Sequence, residues 1–199
     1  MSDQLEWIFP ERHPQDFQEG SDGNQKAFDG TIDSLLREAI QNASDAKWPM
    51  YSDIDNKVKI KVTAIKLTGN KKDKYLETMG WSVLKKHVES VAKNTTLGAD
   101  LLPVALKEGL KKINNGPLYL LRIEDFNTSG LFGSEEANDE DETPNAYRAV
   151  HFAAGHSVNK LIGSGGSFGM GKYALMKGSL IRTVLYNSNI NKSKGSFLE

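Results

Sequence analysis

The stretch LLREAIQNASDA, Leu35 to Ala46, decides how the rest of the chain is read. Taken as a helix, Ile32, Leu35, Leu36, Ala39, Ile40 and Ala43 recur at the i, i+3, i+4, i+7 spacing of a core-facing stripe. At about 100° per residue, Glu38, Asn42 and Asp45 fall within roughly 60° of one another on a second, polar stripe. That stripe flanks the apolar one, which predicts a place at the edge of the core. Two carboxylates and an amide aligned there admit a chemical reading: one acid acts as a base, and the others ligate a hard cation or fix a water. They equally admit an amphipathic helix with ordinary polar flanks. Asp29 or Thr31 is the expected N-cap. Trp48-Pro49 is the expected stop, because the residue before proline is pushed out of the helical region.

Composition narrows the classes around this helix. The chain has 199 residues, 38% hydrophobic and 26% charged, the profile of a globular domain with a substantial core. No apolar run approaches the 18 or so residues of a membrane span, and the start lacks a basic-then-apolar signal segment. The absence of cysteine excludes disulfides and thiolate metal sites and favours a cytoplasmic home. A formal net charge of −1 gives no general pull toward nucleic acid, though local patches are open.

In chain order, residues 1–30 place Trp7, Ile8 and Phe9 among prolines and glycines, which reads as an arm with turns. It is either a plug against its own domain or an arm exchanged in a dimer. Lys57 to Leu67 alternates Val58, Ile60, Val62 and Ala64 with Lys57, Lys59, Lys61 and Thr63, a half-buried strand; the shift to Ile65 and Leu67 predicts a bulge or twist near its end. Gly69-Asn70 and the lysines after it read as a turn. Trp81, Leu84, Val88, Val91 and Ala92 give a second helical stripe, and Leu97 to Ile113 a third helix begun or bent at Pro103. Pro117 to Glu124, PLYLLRIE, predicts a buried strand that delivers Asp125 to a flexible FNTSGLFG. The acidic EEANDEDE at 135–142 reads as a surface loop, and a short helix is expected around Tyr147 to Ala154. The glycine-rich GSGGSFGMG of Gly163 to Gly171 is read as a loop opening into a helix, followed by a last strand, Leu180 to Tyr186, and a polar tail at 191–199. The terminal Leu198-Glu199 fits a vector scar, and the whole reads as the N-terminal domain of something longer. The order of helix, strand, helices, strand, loop, helix and strand predicts an α/β two-layer sandwich with helices packed on a sheet.

Gly166, Gly169 and Gly171 form G-x-x-G-x-G ahead of a helix. Glycines permit close backbone approach, and a helix N-terminus offers free N–H groups and partial positive charge to an anion. The stretch is not a Walker A loop, since Lys172 is followed by Tyr173, and no βαβ unit follows to make a dinucleotide fingerprint.

Three elements together resemble a known family. The acid–amide–acid helix, the Asp at a strand end and the glycine-rich loop resemble, in this order, the ATP-binding domain shared by gyrase B, the large heat-shock chaperones, sensor histidine kinases and MutL (the GHKL superfamily, or Bergerat fold). Glu38, Asn42, Asp45 and Ala46 match its E-x3-N-x2-D-A pattern, and GGSFGMGKYAL looks like its glycine box in a chaperone-like form. The middle element departs: where the family has D-x-G-x-G, this chain has Asp125-Phe126-Asn127-Thr128-Ser129-Gly130, with Asn127 in place of the first glycine and the later glycine displaced by one. Asn tolerates the left-handed backbone better than most residues.

The resemblance covers about residues 30–186, places the domain at 31–190, and implies a mixed, largely antiparallel sheet with helices on one face. It implies ATP and Mg²⁺ as ligands, with Glu38 as the general base, Asn42 as the metal ligand and Asp45 lining the nucleotide pocket. Asp125 would accept the hydrogen bond of the adenine amino group as a buried carboxylate, with Asn127 and Gly130 at the pocket rim. Gly166, Ser167, Phe168, Gly169, Met170 and Gly171 would close over the phosphates, and Lys172 would reach one or remain a helix-surface lysine. Residues 131–165 would form a lid.

In such proteins ATP closes the lid, closure favours N-terminal dimerisation, and hydrolysis resets it. The expected function is therefore an ATPase conformational switch of chaperone-like or MORC-like type. It would work with downstream domains of the same protein and with a DNA or protein client. His13, His87, His151 and His156 lie in no recognisable phosphoacceptor helix, which favours an ATPase over a histidine kinase. Two rivals stand beside it: a nucleotide-sensing module without turnover, and a protein–protein domain whose glycine-rich loop is structural.

Overall fold

The computed structural model describes residues 7–9, 31–46, 57–93, 102–133, 146–147 and 171–189. Seven elements follow in order: α1 (Ile32–Asp45), β1 (Lys59–Leu67), α2 (Gly69–Thr78), α3 (Trp81–Lys93), α4 (Leu102–Asn115), β2 (Leu118–Phe126) and α5 (Gly171–Gly178). Among the described residues the sheet is the pair β1–β2. Lys61 meets Glu124, Lys66 lies over the Tyr119 ring and Asn127 reaches Lys57, so residue numbers fall along one strand as they rise along the other. The pair is antiparallel. Helices with a small antiparallel sheet make an α/β arrangement, the coarse form of the expected class. No helix among the described residues is long and apolar enough to cross a membrane.

Chain contacts define two compact units, each containing one half of the ribbon. The first comprises described parts of Thr63–Arg122 with segment 7–9 and Ser179–Thr183. Its core is Leu84, Val88 and Ala92 of α3 against Leu106 of α4, with Trp7, Met79, Trp81 and Ile181 packed around them. Leu84, Val88 and Ala92 are spaced by four, so one helix face supplies them all. Val91, placed in the same stripe by the sequence, is exposed instead. Trp7 Nε1 donates to the Met79 carbonyl, and Phe9 stacks on His87 with ring centroids 3.5 Å apart. Segment 7–9 therefore packs against the α2–α3 corner of this unit.

Three expectations are corrected in this unit. Residues 69–78 are helix α2, not a turn. Lys72, Tyr75, Leu76 and Met79 are its half-buried positions, at helical spacing. The pattern was masked because a lysine occupies one of them. Lys72 buries its stem and donates from Nζ to the carbonyls of Ile113 and Gly116 (2.8 Å to the latter), capping the end of α4. Leu180 to Tyr186 is not a strand. Arg182 takes a left-handed φ of 53° and its N–H bonds Ser179 O at 3.0 Å, which turns the chain and seats Ile181 on α4. The PLYLLRIE strand is only partly buried: Leu118 is in the core, but Tyr119 is 68% exposed, because a two-stranded ribbon leaves one of its faces to solvent wherever no second layer covers it.

The second unit comprises described parts of Phe28–Val62, Ile123–Gly178 and Val184–Glu199. Here α1 packs on α5, and Leu35, Ala43 and Ala174 are buried. On β1 the half-buried positions are Val58 and Ile60 in this unit and Thr63, Ile65 and Leu67 in the other. The change of parity the sequence suggested near Ile65 thus falls at Lys61–Thr63, where the units divide.

The seating of Ile181 against α4 depends on a missing side chain. A Cβ on Gly109 would lie 2.8 Å from Ile181 Cγ2 and 3.2 Å from the Leu180 backbone carbonyl carbon. Gly109→Ala is expected to lower unfolding free energy by about 1–3 kcal/mol, read as a lower urea midpoint at unchanged m-value. An unaltered midpoint would show that the 180–181 turn does not pack there.

Candidate functional site

The candidate site begins with α1. Thr31 is its N-cap: the residue is extended, and its Oγ1 accepts the Ser34 N–H at 3.3 Å. Asp33 in the first turn suits the positive end of the helix dipole and pairs with Arg37 at 3.1 Å. The helix closes at Ala46, whose N–H bonds Asn42 O at 3.0 Å. The proposed stop at Trp48-Pro49 lies outside the described residues. Leu35 and Ala43 are buried as the stripe requires, while Ile32 is 61% and Ile40 52% exposed. Those two isoleucines were expected in the core. They sit outside it because among the described residues no layer covers that part of the helix.

Ile40 does line something. With Leu36 and Ala39 it faces Val58, Ile60 and Val62 across an open groove of about 400 Å³. This groove is apolar on both walls and is not where the acids stand. By helical geometry its α1 wall lies roughly 140° around the axis from the stripe of Glu38, Asn42 and Asp45. Glu38 is half-buried, and Asn42 and Asp45 are exposed. The edge-of-core expectation is met by Glu38 alone.

The second element joins α1 through the backbone. Ser129 N–H donates to Ala46 O at 2.8 Å, so the turn after β2 is fastened to the C-terminal end of α1. Asn127 has φ 62° and Gly130 φ 68°. The residue standing where the family has glycine therefore adopts the left-handed conformation, and its side-chain amide donates to Lys57 O at 2.9 Å, tying the turn to the start of β1. Asp125 is exposed rather than buried, which corrects the expectation of a buried carboxylate: it sits one residue before the end of a two-stranded ribbon. It accepts the Thr128 hydroxyl at 2.7 Å. That hydroxyl and the Ala46–Ser129 link were missed in the sequence. The Asp-x-x-Thr spacing, a common side-chain turn, was the available signal for the first. Nothing in the sequence marked the second.

The third element is described only in part. Gly166, Ser167, Phe168, Gly169 and Met170 lie outside the described residues, as do most of the proposed lid and the acidic tract at 135–142. Gly171 opens α5 as the sequence reading required, with Lys172 in its first turn. The helix lies close against α1, since a Cβ on Gly178 would collide with Leu35 Cδ1. The structure thus brings the acid–amide–acid helix, the Asp125 turn and the helix after the glycine-rich stretch into one unit. Among the described residues no cluster of three or more His, Asp or Glu is placed to hold a metal. The hard oxygens available, the Asn42 amide with Glu38 and Asp45 on the same stripe, suit a cation that keeps waters and takes most other ligands from phosphate, as Mg²⁺ does.

Comparison with protein-family models, with curated proteins and with solved structures gives no match.

The left-handed turn at 127 is open to test. Asn127→Val, β-branched at positive φ and without the amide, should destabilise the fold by about 2 kcal/mol. Asn127→Gly, which loses only the hydrogen bond, should cost no more than about 1 kcal/mol. Equal denaturation midpoints for the two variants would contradict the turn geometry.

Proposed function

We propose that the chain is a GHKL-type nucleotide-binding module that binds ATP with Mg²⁺ and hydrolyses it, as the N-terminal ATPase part of a larger, cytoplasmic protein. The observation that carries the reading is the Ser129–Ala46 bond. It fastens the turn after Asp125 to the end of the helix bearing Glu38, Asn42 and Asp45. Those residue types have no need of one another in an ordinary amphipathic helix and a surface hairpin. They do in a site that must grip a base at one end and a phosphate chain at the other.

The residues divide the work. Asp125, already held by Thr128, accepts a hydrogen bond from the exocyclic amino group of the adenine, and Asp45 and Asn127 shape the rim around it. Asn42 would hold the cation through its amide oxygen, and the cation, when bound, would neutralise charge developing on the phosphates. Glu38, half-buried one turn before Asn42, takes a proton from water as that water's oxygen attacks the γ-phosphorus. The bond to the leaving ADP oxygen breaks, and the proton on Glu38 returns to solvent. On this reading the glycine-rich segment 163–171 would supply N–H groups to the phosphates, and closure of residues 131–165, most of which lie outside the described residues, would favour pairing of two chains through the N-terminal region.

A second reading keeps binding but not turnover. The exposure of Asp125 and the substituted turn at Asn127 favour it. Calorimetric titration with ATP separates the two. Mg²⁺-dependent binding is expected, weakened about tenfold or more in Asp125→Asn, whose amide presents a mismatched donor to the amino group. Turnover should fall at least a hundredfold in Glu38→Ala with binding retained. Binding with no turnover in the parent would leave the sensing module, and no binding at millimolar ATP would remove the nucleotide reading altogether.

A further inference from the structure

The face of the ribbon turned away from the groove carries the clearest unassigned chemistry. Val58, Ile60 and Val62 line the groove, so by the alternation of a strand Lys57, Lys59 and Lys61 project from the opposite face. All three are exposed. Lys61 lies 3.8 Å from Glu124 on β2 and Lys66 lies over the Tyr119 ring, two cross-strand contacts that agree on one register. Two residues further along each strand, Phe126 stands opposite Lys59 on that same face and is 47% exposed. Among the described residues no ion pair engages Lys57 or Lys59, and Lys61 is the one of the three that meets a carboxylate.

We propose that this face binds a single strand of nucleic acid. Alternate residues of a strand advance roughly 6.6 Å, a step comparable with one nucleotide of an extended single strand, so successive lysines can meet successive phosphates. Phe126, 47% exposed, offers an aromatic ring beside them, and stacking on such a ring is indifferent to which base is presented. A duplex hides its bases from that ring, and a polyanion without bases gains nothing from it. Charge complementarity thus selects a polyanion, and the aromatic selects one with unstacked bases. The chain's net charge of −1 gives no help, so binding rests on this patch alone. The inference is independent of the nucleotide site, since it uses none of Glu38, Asn42, Asp45 and Asp125.

Fluorescence anisotropy of a labelled 20-nucleotide oligo-dT, titrated with the full chain between 50 and 200 mM salt, tests it; ~3 neutralised phosphates give a log–log salt slope of about −2. Lys57→Gln/Lys59→Gln/Lys61→Gln should flatten that slope and weaken binding at least tenfold at low salt. Phe126→Leu, which keeps the apolar bulk, should weaken binding roughly 5- to 150-fold with the slope unchanged. Phe126→Tyr should restore it. Circular dichroism confirms that each variant is folded. The proposal is overturned by any of three results: no binding at 50 mM salt, tighter binding to a 20-base-pair duplex, or a folded Phe126→Leu that binds like the parent and is competed equally well by polyphosphate.

Discussion

The antiparallel pairing of β1 with β2 is the constraint on which the rest of the structure depends. These two strands are far apart in sequence, and each contributes one half to each compact unit. Setting Lys61 against Glu124 also sets Ile60 against Asp125 and Lys59 against Phe126. One register therefore fixes what both faces of the ribbon display beside α1. A slip of one residue would exchange those faces, turning Phe126 toward the groove and Asp125 toward the lysines. The Asn127 amide on Lys57 O works against that slip by pinning the end of the ladder.

Around the ribbon, α1 presents three different sides. Leu35 meets α5 at Gly178, Leu36, Ala39 and Ile40 form the groove wall, and the stripe of Glu38, Asn42 and Asp45 takes the third side. The helix end does the joining: Ala46 O, a carbonyl that no helical N–H can satisfy, is taken by Ser129. An unsatisfied group at a helix terminus is thereby used to hold a turn in place, and Asp125 is held with it.

Much of this was legible in the sequence, and what was not has identifiable causes. The α1 cap, one of the two candidates Asp29 and Thr31, the core spacing of Leu84, Val88 and Ala92, and the helix opening at Gly171 all follow from local pattern, and local pattern is what sequence carries best. Helix α2 was read as a turn because Lys72 counts as charged in any periodicity while most of its length is hydrocarbon. Leu180 to Tyr186 has strand composition, yet the packing of Ile181 and the left-handed Arg182 prevail over that preference. The candidate site divides the same way. Residue types and spacing singled out Glu38, Asn42 and Asp45, and the family resemblance joined Asp125 to them. Which of them is open to solvent depends on layers contributed by distant segments, and so Asp125 was expected buried and is exposed.

The central claim is that the end of α1 and the turn after β2 form one ligand site. Hydrogen–deuterium exchange of the whole chain with and without MgATP tests it most directly. Joint slowing of exchange in segments 38–46 and 125–130 on adding the nucleotide is the expected result. Slowing confined to one of these segments, or to neither while ATP is bound elsewhere, would contradict it.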